Sequence, residues 1–358
     1  MPPHGSRNNI EVFYGYDHLP RRTELITGGL VKVHDLLEKF PNNSNDADLV
    51  YLISSALPHF PPGFASLFLP TQVSLLAKNA IRNKRPIVLN QNGVAYPAWC
   101  PAGWKRINRN NQDIMRQADY VIFQSEFCRK TSEKFLHIKP KSWEILHNPV
   151  NTKLLVPVVN KKKSPWRLLV TGSHWEFYRI ESAVRALEEL VRNNRNVVLY
   201  IAGAYCWGQD MIESEKRIFE LACSLGVHDR VILHGSYSQD EVVDLFGKVH
   251  VLLHTKYNDP CPRSVIESMS CGVPVVYSAS GGVPELVDCN AGVGLKAPTD
   301  WEQNHPPDSK ELAGGVEQVF ADYSFYSKGA RACAVNNFDV CSWIKRHEEI
   351  FREILRTN

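Results

Sequence analysis

One alternation, run twice and broken once, constrains this chain more than any other feature. Short β-branched apolar segments, "IEVFYGY" (10–16), "DLVYLIS" (48–54), "PIVLN" (86–90), "YVIFQ" (120–124) and "WEILH" (143–147), read as buried strands. Between them, "GGLVKVHDLLEKF" (28–40) and "SEFCRKTSEKFL" (125–136) place apolar residues at helical spacing, with Ser125 suited to cap the second. Such alternation predicts a parallel sheet covered by helices. It pauses at "VPVVNKKKSPW" (156–166), where prolines and three consecutive lysines mark a linker. It then resumes with "RLLVTG" (167–172), "VVLYIAG" (197–203), "VILHG" (231–235), "VLLHT" (251–255) and "PVVYS" (274–278), with helices such as "IESAVRALEELVRN" (180–193) between. The expectation is an α/β protein of two Rossmann-like domains, 1–155 and 156–337. The amphipathic stretch 338–358 follows as a closing helix.

At 358 residues the chain has the length for two such domains. Its charge is small overall but unevenly spread. Residues 1–155 hold 19 Lys and Arg against 12 Asp and Glu, so +7, and the remainder is −4. A basic front half suits an anionic partner, and equally an ordinary solvated surface. Nine cysteines with no CxxC pair read as free thiols in a reducing compartment. "MPPHGSRNN" lacks the apolar core of a secretory signal, and "VVLYIAGAYCW" (197–207) is too short to span a bilayer. The expected location is the cytoplasm, with peripheral contact at the inner face of a membrane left open.

In sheets of this kind ligands bind at the carboxyl ends of the strands. Here those ends carry small or polar residues: Gly172-Ser173, Gly203, Gly235-Ser236, His254-Thr255 and Ser278 to Gly282. The span "NDPCPRSVIESMSCGVPVVYSASGGVPELV" (258–287) holds more chemistry than a core requires. "NDPCP" cannot be helical, Pro262 suits a first turn, and "RSVIESMS" reads as a helix stopped at Gly272. Asp259 then lies before the helix and Glu267 more than a turn inside it. The free N–H groups at Arg263, Ser264 and Val265 offer a phosphate site, and Arg263, unfavourable for the helix dipole, makes sense beside an anion. A carboxylate such as Glu267 can accept two hydrogen bonds from a ribose diol, and one such as Asp259 can do so from a sugar ring. Spacing alone fits a surface Glu267 and a capping Asp259 equally well.

This span resembles the donor signature of the family-4 retaining glycosyltransferases (glycosyl transferases group 1), which have the GT-B fold. Their pattern is Glu, seven residues, Glu, then an Ala-Met/small-Cys-Gly-x-Pro-Val-Val run and Gly-Gly-x-Pro-Glu. It stands here as "DPCPRSVIE", "SMSCGVPVVYS" and "SGGVPELV", with Asp259 replacing the first Glu. "HNPVNTKLL" (147–155), "HGSYSQDEVVDLF" (234–246) and "FDVCSWIKRHEEIF" resemble further family segments, the last a helix crossing back to the first domain. The resemblance implies a nucleoside-diphosphate sugar on the second domain and a saccharide or lipid-linked acceptor on the first. It implies Glu267 on the ribose, Asp259 at the donor sugar, and backbone near Ser236 and Tyr237 reading the base. It also implies retention without a covalent intermediate, and no metal or other cofactor.

The chain departs from the family in two places. Ser173 stands where an Arg grips the diphosphate, and the following Lys position falls on Tyr178, with Arg179 next door. Arg179 is the expected replacement cation, with Arg263 and Lys256 in reserve; His174 reads as structural. Asn92, in "IVLNQNGVAYPAW", stands where the family has a His near the reacting sugar. Gly28-Gly29 matches a family loop near phosphate and acceptor, and fits a plain turn as well. The basic stretches "KNAIRNKR" (78–85) and "KRINR" (105–109), beside Trp99 and Trp104, suit a membrane interface, a glycan or a solvated helix face. The modest net charge and lack of a recognisable module argue against nucleic acid. A nucleotide-sugar epimerase of the same fold and a non-catalytic carbohydrate-binding subunit are the alternatives.

Overall fold

The computed structural model describes residues 9–16, 19, 21, 24, 28–54, 79–80, 82–158, 164–208 and 210–357. Among these residues the chain forms two all-parallel sheets. The first runs in simple order: β1 (Val12–Phe13), β2 (Leu49–Ile53), β3 (Ile87–Gln91), β4 (Tyr120–Phe123) and β5 (Trp143–Ile145). β3 and β4 are buried along their whole length, as a sheet covered on both faces requires. The predicted first strand shortens to two residues. Gly15 takes φ 87°, turning the chain, and Tyr14 points its hydroxyl to the carbonyl of Phe40. The covering helices are α1 (Gly28–Leu37), α2 (Trp104–Gln117) and α3 (Glu126–Leu136).

The second sheet comprises β6 (Trp166–Thr171), β7 (Val197–Ala202), β8 (Val231–Gly235), β9 (Val251–His254), β10 (Val275–Ala279) and β11 (Gly292–Lys296), in the order β11-β10-β9-β6-β7-β8. From β6 the chain goes one way to β7 and β8, then returns on the other side to β9. That reversal opens a crevice at the carboxyl ends of β6 and β9. β11, "GVGLK", is not read as a strand from the sequence because its glycines signal a turn. They serve close packing instead: a Cβ on Gly292 would lie 2.1 Å from the carbonyl oxygen of Val275. The helices are α4 (Tyr178–Arg192), α5 (Met211–Ser224), α6 (Val242–Lys248), α7 (Arg263–Ser270), α8 (Val283–Leu286), α9 (Ser309–Ala321) and α10 (Tyr323–Asn337).

The last helix, α11 (Val340–Thr357), belongs to the other side of the molecule. Val150 N–H donates to Phe338, and Val340 N–H donates back to Val150, which fixes the crossing point. Trp343, Ile344, Ile350, Phe351 and Ile354 then pack into one core with Val33, Leu36, Phe40 and Tyr51 of the first domain. The predicted linker stretch 159–163 lies outside the described residues. No helix among the described residues is long and apolar enough to cross a membrane, and all nine cysteines are free thiols.

Candidate functional site

The carboxyl ends of both sheets face one another across a cleft of about 690 Å³. Two helix N-termini are aimed into it, α1 from the first domain and α7 from the second. A Cβ on Gly28 would meet the Arg263 side chain at 3.5 Å, so that side chain reaches from α7 to the start of α1. Free N–H groups and the positive ends of both dipoles therefore converge on one space, which suits an anion.

α7 starts where the sequence requires, with Pro262 as the extended N-cap and no side-chain cap. Asp259 is thus not a cap. It sits in the preceding loop, with Asn258 at φ 52°, and that loop is tied down: Asn258 N–H donates to Ser280 Oγ at 2.9 Å and Asn258 Nδ2 to the carbonyl of Asp300 at 2.7 Å. The two glycines of the 281–282 turn allow the loop to lie against it. A Cβ on Gly281 would be 2.4 Å from the Asp259 carbonyl oxygen, and one on Gly282 would be 2.0 Å from that of Pro260. Gly282 N–H also donates to Asp259 O at 2.8 Å. Here lies the physical reason for Gly-Gly in this motif.

Three basic groups surround the Asp259 carboxylate. Lys256 Nζ lies 3.2 Å from Oδ2 and His254 Nε2 lies 3.4 Å away, the latter outside hydrogen-bonding geometry. Burial pushes the Asp259 carboxyl up, but Lys256, His254 and Arg179 outweigh it and hold the group well below the usual carboxylate range. His254 itself is pushed down by burial, against the pull of Asp259. Arg179 is buried at the end of β6, its guanidinium donating to the carbonyls of Ser173 at 2.5 Å and Thr171 at 3.1 Å. Its Nε has no partner among the described residues. Gly172 takes φ 118°, a backbone conformation that L side chains rarely adopt, and its built Cβ would lie in ordinary contact with that guanidinium, at 3.6 Å.

Glu267 is buried, not a surface residue, and its Oε1 accepts from Gln239 Nε2 at 3.1 Å. Arg263 lies between two carboxylates, Nη1 at 3.3 Å from Asp35 on α1 and Nε at 3.4 Å from Glu267. As a reserve cation for phosphate, Arg263 is therefore already committed, and it bridges the domains. Ser264 lines the cleft at the start of α7, but Val265 does not act as expected. Its side chain is in the core and its N–H donates to Pro262 O at 3.2 Å, because the first turn tightens onto the N-cap. Ser173, Ser236 and Tyr237 line the cleft, the tyrosine hydroxyl held 2.8 Å from Thr171 Oγ1. Gly28 and Gly29 line it from the opposite side as the first residues of α1. His174 is fully buried on the carbonyl of Ala202 and pushed well down by burial, a structural residue as expected.

Asn92 faces the cleft with both ends of its amide engaged. Nδ2 donates to Ser54 O at 3.0 Å, and Oδ1 accepts from Lys32 Nζ at 2.8 Å. Trp99 is turned inward rather than toward a membrane, packed edge-on against Trp175 with Lys256 5.0 Å above its ring. Trp104 packs against Phe135. Part of the basic stretch 78–85 lies outside the described residues, and 105–109 is the polar start of α2.

Sequence reasoning missed three participants. Gln239 and Asp35 carry no local signal, because their partners are remote in sequence. Glu285, the last residue of Gly-Gly-x-Pro-Glu, reaches across the interface to the N-terminus of α3. Its two oxygens accept from Glu126 N–H at 2.7 Å and Phe127 N–H at 2.9 Å, while Ser125 Oγ takes Cys128 N–H at 3.1 Å.

Two Rossmann-like domains facing across such a cleft, with a final helix returning to the first, define a GT-B glycosyltransferase architecture. Residues 152–329 match the model of the glycosyl transferases group 1 family, and this half of the chain belongs to that family. The gpi3 subunit of phosphatidylinositol N-acetylglucosaminyltransferase from Schizosaccharomyces pombe is 22% identical over 248 residues, covering 68% of this chain and 51% of the subunit. The chain thus spans about half the length of that curated relative. In fold it is similar to Anabaena HepE in complex with UDP (TM-score 0.69, 18% identity, 90% of this chain and 82% of that one). The same protein in complex with UDP-glucose gives a TM-score of 0.68 at 18% identity, with 91% and 82% covered. Sucrose-phosphate synthase from Thermosynechococcus elongatus matches with a TM-score of 0.69 at 18% identity, over 92% and 78%.

Proposed function

We propose that the protein transfers a sugar from a nucleoside-diphosphate donor to a saccharide or lipid-linked acceptor with retention of configuration, without a metal. The observation that carries this reading is the pair Asp259 and Glu267, held on either side of the α7 N-terminus. Both line the same cleft. Glu267, oriented by Gln239 and Arg263, accepts hydrogen bonds from the ribose diol. The diphosphate lies against the amides of α7 and α1, with Lys256 and Arg179 as the nearest cations. Those groups supply the charge stabilisation that a departing diphosphate needs. Asp259 accepts from the donor-sugar hydroxyls, and the departing phosphate oxygen takes the acceptor proton. The UDP and UDP-glucose bound to HepE support a nucleotide-sugar of this class as the donor.

The test is thermal stabilisation by UDP-, GDP- and ADP-linked sugars on the wild type and Glu267→Ala. One nucleotide should raise the melting temperature. Loss of one or two charged hydrogen bonds, each about 1.5–3 kcal/mol, should weaken its binding about ten- to over a hundredfold in the variant. Absence of any shift at millimolar ligand would remove the donor reading and favour the carbohydrate-binding alternative.

A further inference from the structure

One buried cation behind the cleft wall has no part in the scheme above. Lys32, on α1, is 1% exposed and lies beneath Asn92, not in the cleft. Its Nζ donates to Asn92 Oδ1 at 2.8 Å and to Asn90 Oδ1 at 2.7 Å. From Asn90 the polar contacts run two ways. Gln124 Nε2 donates to Asn90 Oδ1 at 3.0 Å, and Asn148 Nδ2 connects Gln124 Oε1 (3.2 Å) to the carbonyl of Cys261 (2.7 Å), in the loop that carries Asp259. Asn90 Nδ2 donates to Tyr51 Oη at 2.9 Å, and Tyr51 meets His347 Nε2 on α11 at 3.2 Å. Lys32 is the titratable centre of a buried network joining the cleft wall, the donor loop and the crossover helix.

We propose that Lys32 is a positioning residue that fixes the Asn92 amide and takes up a proton from solvent when the anionic donor enters the cleft. This rests on the donor reading above. A lysine this buried, hydrogen-bonded to neutral amide oxygens, is poorly solvated as an ammonium; burial pushes it down to about 7. On the donor reading the diphosphate lies at the N-terminus of α1, the helix that carries Lys32, where it supplies counter-charge and favours the protonated form. The titratable and charged groups facing Lys32 are Asp35 on α1, Tyr51 on β2, Cys128 on α3, Cys261 and Arg263 beside the cleft, and His347 on α11. Burial keeps Tyr51, Cys128, Cys261 and His347 neutral near pH 7, and Asp35 and Arg263 pair with each other. Lys32 is the member of this set that changes charge there.

Calorimetric titration of the wild type with the nucleotide-sugar that binds, in buffers of different ionisation enthalpy, counts the protons taken up. A nucleotide-sugar diphosphate has no titration of its own between pH 6 and 8. Uptake approaching about 0.7 proton per donor is expected at pH 7.5, with affinity weakening up to about tenfold between pH 6 and 8. Lys32→Gln keeps a donor for the asparagines but no charge, and should bind with no uptake and a flat pH profile. In the wild type, the lysine ε-carbon NMR resonance of Lys32 should titrate near pH 7 when free and higher with donor bound, which assigns the proton even if the variant fails to fold. Donor binding with no proton uptake, or a Lys32→Gln protein keeping the wild-type pH profile, overturns the inference and leaves the donor reading intact. Failure of every nucleotide-sugar to bind would overturn both.

Discussion

Asp259 shows how one residue can hold a site in readiness. Its carboxylate balances Lys256 and Arg179, beside a His254 that burial pushes down, so the cleft contains a charge arrangement already paired before ligand arrives. Asp259→Asn removes the negative charge and one of the two acceptor oxygens offered to the donor sugar, and leaves Lys256 and Arg179 to the diphosphate. Nucleotide-sugar affinity should stay within about threefold of the wild type while kcat falls by about a hundredfold or more, a split read by steady-state kinetics beside calorimetry. A parallel loss of affinity would place Asp259 in ground-state binding alone. The acid pair was singled out by the family resemblance of its motif; its spacing around a proline-started helix fitted a surface and a capping role equally well. Lys32 was not, because a lysine in an amphipathic helix reads as solvated. Its signal lay in register: Lys32, Leu36 and Phe40 follow at steps of four, and all three are buried.

At the scale of elements, the turn between β10 and α8 and the loop before α7 form one unit. Gly282 has an ordinary φ of −92°, so space and not backbone conformation demands glycine there. Gly282→Ala must push the Asp259 loop away, where Pro260 O lies 2.0 Å from the built Cβ, and also move Ser125 Oγ, 2.8 Å from it. It should cost about 1–3 kcal/mol of stability by overpacking, and at least tenfold in donor affinity. Gly314→Ala, in an exposed position of α9 with open space around it, is the control and should stabilise by about 0.5–1 kcal/mol. Chemical denaturation and donor titration of the two variants together check this. Most strands of both domains were readable from their β-branched runs, the central ones because burial on both faces demands such runs. β1 shortened and β11 was not read, because glycine at a turn and glycine in a packed strand give the same local signal; α9 and α10, which follow β11, were not read either.

Across the whole molecule, α11 makes the first domain's core depend on residues more than 300 positions downstream. His347 is buried there against Tyr51, Trp343 and Phe351, and burial pushes its pKa down to about 3. Between pH 6.5 and 3 the unfolded chain holds a proton at this position that the folded chain does not, so stability falls as pH drops through that window. The contribution is up to about 1.4 kcal/mol per pH unit. Denaturation between pH 6.5 and 4.5 should show this slope, and His347→Gln should lack that part of it. An unchanged slope would mean that α11 does not hold His347 neutral. Long-range pairings of this kind, and Arg263 with Asp35, were illegible in the sequence because nothing local to either partner requires the other.

The Glu285 contact limits how portable each half of this protein is. The N-terminus of α3 lies in the first domain, yet two of its amides are satisfied only by a carboxylate from the second. A recombinant made by joining this first half to a foreign second half at the linker would be sound in each core and still lack that seal. The crossover points that preserve it are those that carry residues 125–127 and 285 from the same parent. In this protein the natural unit of exchange is larger than the domain.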